Sequence, residues 1–311
     1  MFLQRTKQRA TLVPRVRHIH RSWALITSQV APGTDGVAAH YDDLDQYYRD
    51  IWGDHLHHGL WRSGGETTSQ AIEQLVDELA TGAGIAAEPG LRVCDIGCGY
   101  GGTSRRLVDK YDAKVIGLTL SAEQHRYAVQ QTSGRDNPKY LVRDWAENGL
   151  EPDSCDAIIS IECFSHVADK PGFFREVSRV LRPEGRGAMA IWMAAPNASP
   201  RAVKWLLEPI CNEGRLPGMA TSEEIKAMIV DAGLIVESFE EVSRMVRRTW
   251  IICARRLIWK LLTRPRYWRA LLDRNFSNRI FIVTLFRILI AYYFGAMQFG
   301  LFQFQKPAAF R

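Results

Sequence analysis

The chain has 311 residues, of which 46% are hydrophobic and 24% are charged, and this composition allows one large domain with a sizeable buried core. Its six cysteines include no C-x-x-C pair and have no His-rich partner segment, so neither a disulfide framework nor a zinc site is indicated, and no metal is expected. The net charge of +6 is spread unevenly, because both ends of the chain are basic and the middle is acidic.

The first 34 residues are predicted to form a basic N-terminal arm, with six Lys or Arg residues and no acidic residue. They contain no continuous apolar stretch, which argues against a secretory signal. Three interpretations stay open for this arm: a surface helix, a flexible extension or an organellar transit segment. The remaining residues, 35–311, are expected to form one domain.

Two helices are expected between residues 40 and 80, because apolar residues recur there at helical spacing. One contains Tyr41, Tyr47, Tyr48 and Trp52, and the other contains Ile72, Leu75, Val76 and Leu79. A polar and aromatic loop, GDHLHHGLW at residues 53–61, joins them.

A glycine-rich turn follows a β-branched strand in LRVCDIGCGYGGTS, residues 91–104. Glycines at such a strand-to-helix turn let the backbone bend tightly and come close to a ligand, and a carboxylate two residues earlier can hold a cationic amino group. A methionine-type α-amine needs such a carboxylate, so the turn predicts a site for S-adenosylmethionine. The predicted cofactor-binding residues here are Asp95, Gly97, Cys98, Gly99 and Gly101.

The same glycines, Gly97-x-Gly99-x-x-Gly102, also satisfy the dinucleotide fingerprint, which alone is a weak signal. Two details favour the methyl donor over a nicotinamide or flavin. A carboxylate at position 95 would lie unfavourably near a pyrophosphate bound at the helix start. The acid that would hold the adenosine ribose is expected at the end of the second strand, and it is missing. Strand 114–119 is followed there by Leu120 and Ser121. A glycine turn without any ligand is the purely structural alternative.

The middle of the chain alternates between short apolar strands and helices. This alternation predicts an α/β fold, with a doubly wound, mostly parallel sheet covered by helices on both faces. Thr221 and Glu224 form a capping box that begins a further helix. The predicted strands are 91–96, 114–119, 139–143, 155–162 and 186–193, and the predicted helices are 102–110, 121–132 and 170–182.

The C-terminal region is expected to form two cap helices within residues 248–294, broken near Pro265 and Asn275, and a final strand at 298–304 that returns to the sheet. The apolar run 280–302 is long enough to span a membrane. However, a charged residue at mid-bilayer costs roughly 2.5 to 3.5 kcal/mol, and Arg287 lies inside this run. A cap helix followed by a core strand is therefore favoured.

Residues 243–311 carry fourteen Lys or Arg residues against one acid, Asp273, and the acidic middle of the chain has a net charge of −13. This asymmetry favours a polyanionic partner, either an anionic membrane surface or nucleic acid. The alternative is that the arginines only solvate the outer faces of cap helices.

Three further segments, together with the glycine turn, carry a family resemblance. They are GLTLSAEQ at 117–124, RDWA at 143–146 and SIECFSH at 160–166. The chain resembles the class I S-adenosylmethionine-dependent methyltransferases, and within them the group of tocopherol (prenylquinol) methyltransferases and cyclopropane fatty acid synthases. The resemblance spans about residues 40–307. It implies a seven-stranded Rossmann-like sheet with a helical cap, whose elements lie at about 40–80, 196–215 and 248–296.

The resemblance also implies how the nucleoside is held. Hydroxyl, backbone and amide groups replace the ribose-binding acid, here those of Thr119, Leu120, Ser121 and Gln124. The loop after the third strand borders the adenine, here through Asp144, Trp145 and Ala146. A flat indole beside a purine makes physical sense, and the alternative for Trp145 is ordinary core packing.

The end of the fourth strand supplies the predicted catalytic residues, since His166 matches the family's histidine and Glu162 the preceding strand-end acid. At the carboxyl end of this strand, His166 is placed to remove a phenol or hydroxyl proton as general base. Glu162 would orient the cofactor or the acceptor. A hydrogen-bonded structural histidine is the alternative. Ser165 stands where the family usually has Glu, so the cyclopropane-forming chemistry is not carried over directly.

These observations predict an enzyme that transfers a methyl group from S-adenosylmethionine to a hydrophobic or lipid-like small molecule of the phenol, quinol or isoprenoid type. A cyclopropane-forming or N-methylating relative and a non-catalytic cofactor-binding protein are the alternatives. Nucleic acid is disfavoured as a partner, because Glu162-Cys-Phe stands where adenine methyltransferases have Asn/Asp-Pro-Pro-aromatic. We expect a cytoplasmic location, with peripheral binding to an anionic membrane surface as an option.

Overall fold

The computed structural model describes residues 26–27, 33–272 and 281–309. The strands are β1 (Ile26–Thr27), β2 (Arg92–Ile96), β3 (Lys114–Thr119), β4 (Lys139–Val142), β5 (Cys155–Ile161), β6 (Leu181–Ala194), β7 (Gly218–Met219), β8 (Ile235–Glu241) and β9 (Met297–Gln305). The first helices are α1 (Thr34–Ile51), α2 (Thr68–Gly82), α3 (Gly102–Tyr111), α4 (Ala122–Gln131) and α5 (Lys170–Val180). The later ones are α6, with the consecutive turns Pro200–Ala202, Val203–Leu207 and Glu208–Glu213, α7 (Ser222–Asp231), α8 (Ser243–Val246), α9 (Arg248–Thr263), α10 (Pro265–Leu272) and α11 (Phe281–Tyr293).

Seven strands form one sheet in the order β4-β3-β2-β5-β6-β9-β8. The strands from β4 to β6 are parallel to their neighbours, whereas β9 runs antiparallel to both β6 and β8. The chain order reverses beside β2, because β3 and β5 lie on its two sides. Ligands of open α/β sheets bind at such a switch point, beyond the carboxyl ends of the strands.

Alternate residues of the central strands pack on opposite faces of this sheet. Val93 of β2 belongs to the apolar cluster that contains Leu75 of α2. The next residue, Cys94, belongs to the cluster that contains Phe174 of α5. Strands buried on both faces consist of nearly continuous apolar runs, which is why the sequence indicated them.

The predicted fold class is confirmed, because the described residues form a mostly parallel seven-stranded sheet with helices on both faces. The capping box at Thr221 and Glu224 begins α7 as predicted. β6 is longer than expected and begins at Leu181 rather than at residue 186. Seven strands were expected, but the position of β8 in the sequence was not predicted, because most of its side chains are exposed or half-exposed at the sheet edge and it has no apolar run.

The apolar run 280–302 contains α11 and the larger part of β9, so a cap helix followed by a sheet strand is the correct interpretation. Arg287 of α11 forms an ion pair with Glu213 of α6, which accounts for a charge in this helix. Within the described ranges, no helix is long and apolar enough to cross a membrane. The break predicted at Pro265 separates α9 from α10, whereas the break predicted near Asn275 lies outside the described residues.

Most of the predicted N-terminal arm, including its six basic residues, also lies outside the described residues. The described part, β1, pairs antiparallel with β7 through Ile26 and Met219. This short segment therefore packs on the domain. Helix α1 begins at Thr34, where the arm was predicted to end.

Candidate active site

The carboxyl ends of β2 and β5 place two acidic residues, Asp95 and Glu162, at the switch point of the sheet. Two cavities lie there. The first lies between Asp95, Gly99 and His55 and is called the turn cavity below. The second lies between His166, Trp250 and the strand ends and is called the cap cavity. Leu56 lines both, so the two cavities are adjacent.

Asp95 lines the turn cavity and is 1% exposed. The Ser104 hydroxyl donates to its Oδ2 at 2.6 Å. Burial raises the pKa of Asp95 to about 6, and the hydrogen bond from Ser104 offsets part of this effect. Two carboxylate oxygens accept about four hydrogen bonds, so Asp95 has capacity for a cationic donor. The α-ammonium group of S-adenosylmethionine fits this requirement.

The three glycines of the turn have different surroundings. Gly99 has a φ of 55°, and an added Cβ there would meet no atom within 4 Å. A Cβ on Gly97 would clash with the side chain of Cys163, and one on Gly101 would clash with the Tyr140 ring. Gly97 and Gly101 therefore let the turn pack against the protein's own side chains. Gly99 leaves open space beside the backbone, and its contact with the cofactor stays a prediction.

The predicted ribose-binding groups at the end of β3 are bonded to one another and to α1. Thr119 Oγ1 donates to Gln124 Oε1 at 2.8 Å, and Ser121 Oγ accepts from the Gln124 N–H at 3.1 Å. The Ser121 hydroxyl in turn donates to Asp42 of α1, which also accepts from the Glu123 N–H. Helix α1 thus supplies a carboxylate at the strand end that lacks its own acid.

Two other predicted contacts flank these groups. Cys98 lines the turn cavity, and its thiol is buried in a small cluster with Tyr140. Leu120 is half-buried between β3 and α4. Their contacts with the cofactor stay a prediction.

The predicted adenine-binding loop folds as a 3-10 turn over Trp145–Glu147. Asp144 caps it by accepting from the Ala146 N–H at 2.9 Å. Trp145 is buried beside Phe173, whose carbonyl accepts the indole N–H at 3.1 Å. The indole is therefore part of the α5-side core. Contact of Asp144, Trp145 and Ala146 with the adenine stays a prediction.

The cap cavity takes its walls from all three predicted cap segments. Its lining includes Tyr41 and Tyr48 from α1, Ile210 from α6, Trp250 from α9 and Ile288 from α11. The sheet side contributes Glu162, Ser165, His166 and Trp192. The wall is mainly aromatic and aliphatic, with a few polar groups at the strand ends.

Glu162 accepts three hydrogen bonds at the sheet side of this cavity. Its Oε1 accepts from the His58 backbone N–H and from His58 Nδ1, both at 2.7 Å, and its Oε2 accepts from the Trp192 indole at 2.7 Å. The Trp250 indole donates to His58 Nε2 at 2.6 Å. Because an indole N–H only donates, His58 Nε2 is the acceptor of this bond, and Nδ1 is left to donate to Glu162.

These hydrogen bonds stabilise the ionised form of Glu162 and hold its backbone in a left-handed conformation. Burial acts to raise the pKa of Glu162, but the interactions with His58 outweigh it and hold the pKa below its ordinary value. The backbone of Glu162 has a φ of 59°, a left-handed conformation that costs about 1–3 kcal/mol in a non-glycine residue. Glu162 is therefore held in one orientation, and its role toward the cofactor or acceptor stays a prediction.

His166 and Tyr41 form a hydrogen-bonded pair in the cap cavity, with His166 Nε2 at 2.9 Å from the Tyr41 hydroxyl. His166 Nδ1 faces the backbone of Arg215 but makes no hydrogen bond of ordinary geometry. Burial, with a smaller effect of His40, lowers the pKa of His166 to about 4, so the ring is neutral at pH 7. Burial also raises the pKa of Tyr41. Tyr41 therefore stays protonated and donates to Nε2.

The loop after β5 is held by the buried amine of Lys170. Its Nζ donates to the carbonyls of Phe164 at 3.2 Å and Val167 at 3.0 Å. Burial lowers the pKa of Lys170 to about 8. In the same loop, the Ser165 hydroxyl is 4% exposed, lines the cap cavity and has no partner among the described residues. A buried hydroxyl in this situation is suited to a ligand that supplies the missing hydrogen bond.

Sequence reasoning missed Tyr41, His58, Asp42 and Lys170 as site residues. Three histidines within four positions of loop 53–61, His55, His57 and His58, were a visible signal that this loop is more than a connection. The partner of His58, Glu162, however, lies 104 residues further along the chain. No local pattern indicates such a pairing.

We expect the affinity for S-adenosylhomocysteine to fall as the pH drops through about 6. The ligand ammonium favours the ionised form of Asp95, whose pKa in the free protein is raised to about 6. Affinity should be constant above this pH and fall by up to about tenfold per unit below it, because the proton must then be displaced. Isothermal titration calorimetry from pH 5 to 8 measures this. Asp95→Asn should lose most of the binding together with its pH dependence, and a flat profile in the wild type would contradict the assignment.

Gly99→Ala should weaken S-adenosylhomocysteine binding by roughly tenfold or more, equivalent to about 1.4 kcal/mol, because the new methyl group occupies the open space. Gly90→Ala is the matched control. Gly90 also has a positive φ, of 80°, and an added Cβ there also meets nothing within 4 Å, but it lies outside the cavity lining. Thermal unfolding should show similar losses of stability in both variants, and calorimetry should show lost affinity only in Gly99→Ala. Equal affinities would show that Gly99 does not face the ligand.

Comparisons of the sequence and of the fold with known proteins identify the same family. The sequence model of the family described as "Mycolic acid cyclopropane synthetase" matches residues 29–261. The chain is 32% identical over 234 residues to 27-O-demethylrifamycin SV methyltransferase of Amycolatopsis mediterranei (strain S699), covering 74% of this chain and 82% of the relative. It is 27% identical over 291 residues to the chloroplastic tocopherol O-methyltransferase of Arabidopsis thaliana, covering 88% and 82%.

The fold is also similar to a solved structure, that of the cyclopropane synthase MmaA2 from Mycobacterium tuberculosis. The TM-score is 0.76 at 22% sequence identity, and the match covers 90% of this chain and 100% of that chain. The chain therefore belongs to the mycolic acid cyclopropane synthetase family of class I S-adenosylmethionine-dependent methyltransferases, and its cofactor is S-adenosylmethionine rather than a dinucleotide.

Proposed function

We propose that this enzyme methylates a hydroxyl group of a neutral, hydrophobic small molecule of the phenol or quinol type. The observation that carries the proposal is the cap cavity, where neutral His166 and the unpartnered Ser165 hydroxyl interrupt an aromatic and aliphatic wall. A mostly apolar cavity with a few convergent polar groups is typical of small-molecule sites. The two relatives support the proposal, since one is a tocopherol O-methyltransferase and the other acts on 27-O-demethylrifamycin SV.

The charge of the cavity favours a neutral acceptor. Among the described residues that line it, Glu162 is the only acidic side chain, and there is no Lys or Arg. A phosphate or carboxylate on the acceptor would need such a cation as a partner. It would also lie in the same small cavity as the ionised Glu162. Both effects disfavour an anionic acceptor.

The mechanism needs alignment and a route for the acceptor's proton. S-adenosylmethionine supplies the methyl group, and holding donor and acceptor in line provides much of the acceleration. Tyr41 donates to His166 Nε2, so its own oxygen is available to accept from the acceptor hydroxyl. As the acceptor oxygen bonds to the methyl group, its proton passes to the Tyr41 oxygen and the Tyr41 proton passes to Nε2. No net charge is left on Tyr41.

The cap helices carry the second part of the proposal, a surface that binds anionic membranes. Helix α9 exposes an apolar stripe at helical spacing, Ile251, Ile258, Trp259 and Leu262, and Arg255 is exposed beside it. Helix α11 exposes Val283, Phe286, Ile290 and Tyr293. On their inner sides the same two helices line the cap cavity through Trp250 and Ile288. A lipid-like acceptor would then reach the cavity without crossing water.

His166→Ala should lower the single-turnover rate by roughly 10², the low end for a general base, because a pKa of about 4 makes His166 a weak base. The assay uses methyl-labelled S-adenosylmethionine with a panel of hydrophobic phenols, amines and alkenes, and mass spectrometry of the product. We expect an O-methylated phenol, with an acid limb of the rate near pH 4. Tyr41→Phe should slow the reaction similarly.

Two comparisons make this test decisive. His125→Ala is the control, because His125 bonds the Tyr140 carbonyl and does not line the cap cavity. S-adenosylhomocysteine affinity should stay nearly unchanged in His166→Ala. An N-methylated or cyclopropanated product would contradict the proposed acceptor, and a full rate in His166→Ala would make His166 a structural residue.

Replacing both Trp259 and Leu262 by Ser should release the protein from anionic vesicles. Apolar insertion and attraction of arginines to anionic headgroups reinforce each other, and each basic residue contributes on the order of 1 kcal/mol. Flotation with phosphatidylglycerol and phosphatidylcholine vesicles at low and high salt measures the binding. Val129→Ser is the control, since Val129 is 46% exposed on α4. Equal binding to both vesicle types, or no binding to either, would contradict the proposed membrane surface. The arginines would then only solvate the outer faces of the cap helices.

A further inference from the structure

The loop between α1 and α2 places three histidines in a chain that connects the two cavities. His57 Nδ1 lies 2.8 Å from the carbonyl oxygen of His58, and His55 Nδ1 lies 3.0 Å from His57 Nε2. His58 continues the chain to Glu162. The methyl-transfer mechanism above uses neither His55 nor His57.

The proton positions in this chain follow from its partners. A carbonyl oxygen only accepts, so His57 Nδ1 carries the proton and donates to His58. Burial lowers the pKa of His57, so its ring is neutral and Nε2 bears a lone pair. His55 therefore donates from Nδ1. Burial, with smaller effects of His57 and of two nearby arginines, lowers the pKa of His55 to about 3. His55 Nε2 is thus an unprotonated acceptor.

His55 presents this acceptor at the turn cavity. It lines the cavity together with Asp95, and its ring lies against Gly102 at the start of α3, where an added Cβ would meet it at 2.6 to 2.8 Å. Among the described residues, the side chain of His55 makes one hydrogen bond, and it is made by Nδ1. Nε2 therefore has no hydrogen-bond partner there. The other acid of the cavity, Asp54, already accepts from Tyr127 at 2.7 Å.

We propose that Nε2 of His55 accepts a hydrogen bond from the α-ammonium group of S-adenosylmethionine, and that His57 orients His55 for this contact. An ammonium group has three N–H donors, and Asp95 alone leaves part of this capacity unused. A neutral imidazole adds an acceptor without adding a second negative charge, which would raise the pKa of Asp95 further. The inference rests on the cofactor site and not on the identity of the acceptor.

The test compares two ligands that differ only in the amine, S-adenosylhomocysteine and its deaminated analogue, by calorimetry on the full chain at pH 7.5. His55→Ala should lower the affinity for S-adenosylhomocysteine by about ten- to hundredfold, the effect of losing one hydrogen bond to a charged group. It should leave the affinity for the deaminated analogue unchanged. His57→Phe keeps a buried ring but removes the nitrogen that orients His55, so it should give a smaller loss with the same ligand selectivity.

His125→Ala, whose side chain does not line the turn cavity, should change neither affinity. An equal loss for both ligands in the His55 and His57 variants would overturn the proposal, because it would show a general change of the cavity. Unchanged binding of S-adenosylhomocysteine in both variants would overturn it as well. None of these measurements needs methyl transfer. A protein that shows the expected selectivity but methylates no phenol would therefore contradict the proposed function and leave the role of His55 intact.

Discussion

Three hydrogen bonds to the Glu162 carboxylate join the sheet to the cap, and the geometry of both cavities depends on them. They come from the α1–α2 loop, through His58, and from β6, through Trp192. His58 is in turn held by Trp250 of α9. Removing one partner of a buried charged group costs about 3–5 kcal/mol, so each donor is strongly constrained. One strand-end carboxylate thereby positions elements from both halves of the chain.

The two buried acids at the switch point illustrate how surroundings assign different chemistry to the same functional group. Asp95 has one hydroxyl partner, and burial raises its pKa to about 6. Glu162 has three donors, and its pKa lies below the ordinary value. Asp95 therefore gains from a cationic ligand, whereas the donors of Glu162 come from the protein itself. The turn cavity is suited to a charged amino acid group, and the cap cavity to a neutral ring.

The sequence predicted the features that depend on neighbours close in the chain. The central strands were visible because both of their faces are buried, and the start of α7 was visible because a capping box spans only four residues. The turn after β2 was recognised for the same reason. β8 lacked a signal because it lies at an edge with mostly exposed side chains. The pairs Tyr41–His166 and His58–Glu162 join segments 125 and 104 residues apart, and neither segment indicates its partner.

The position of β9 determines the order in which the molecule is completed during synthesis. β9 lies between β6 and β8 and is hydrogen-bonded to both along its length. Until residues 297–305 have left the ribosome, β8 has no neighbour in the sheet and β6 presents an open edge. Pairing between segments so distant in the chain is slow, and an exposed edge strand readily pairs with other chains. The nascent protein therefore passes through a stage in which the β6 edge is open to pairing with other chains.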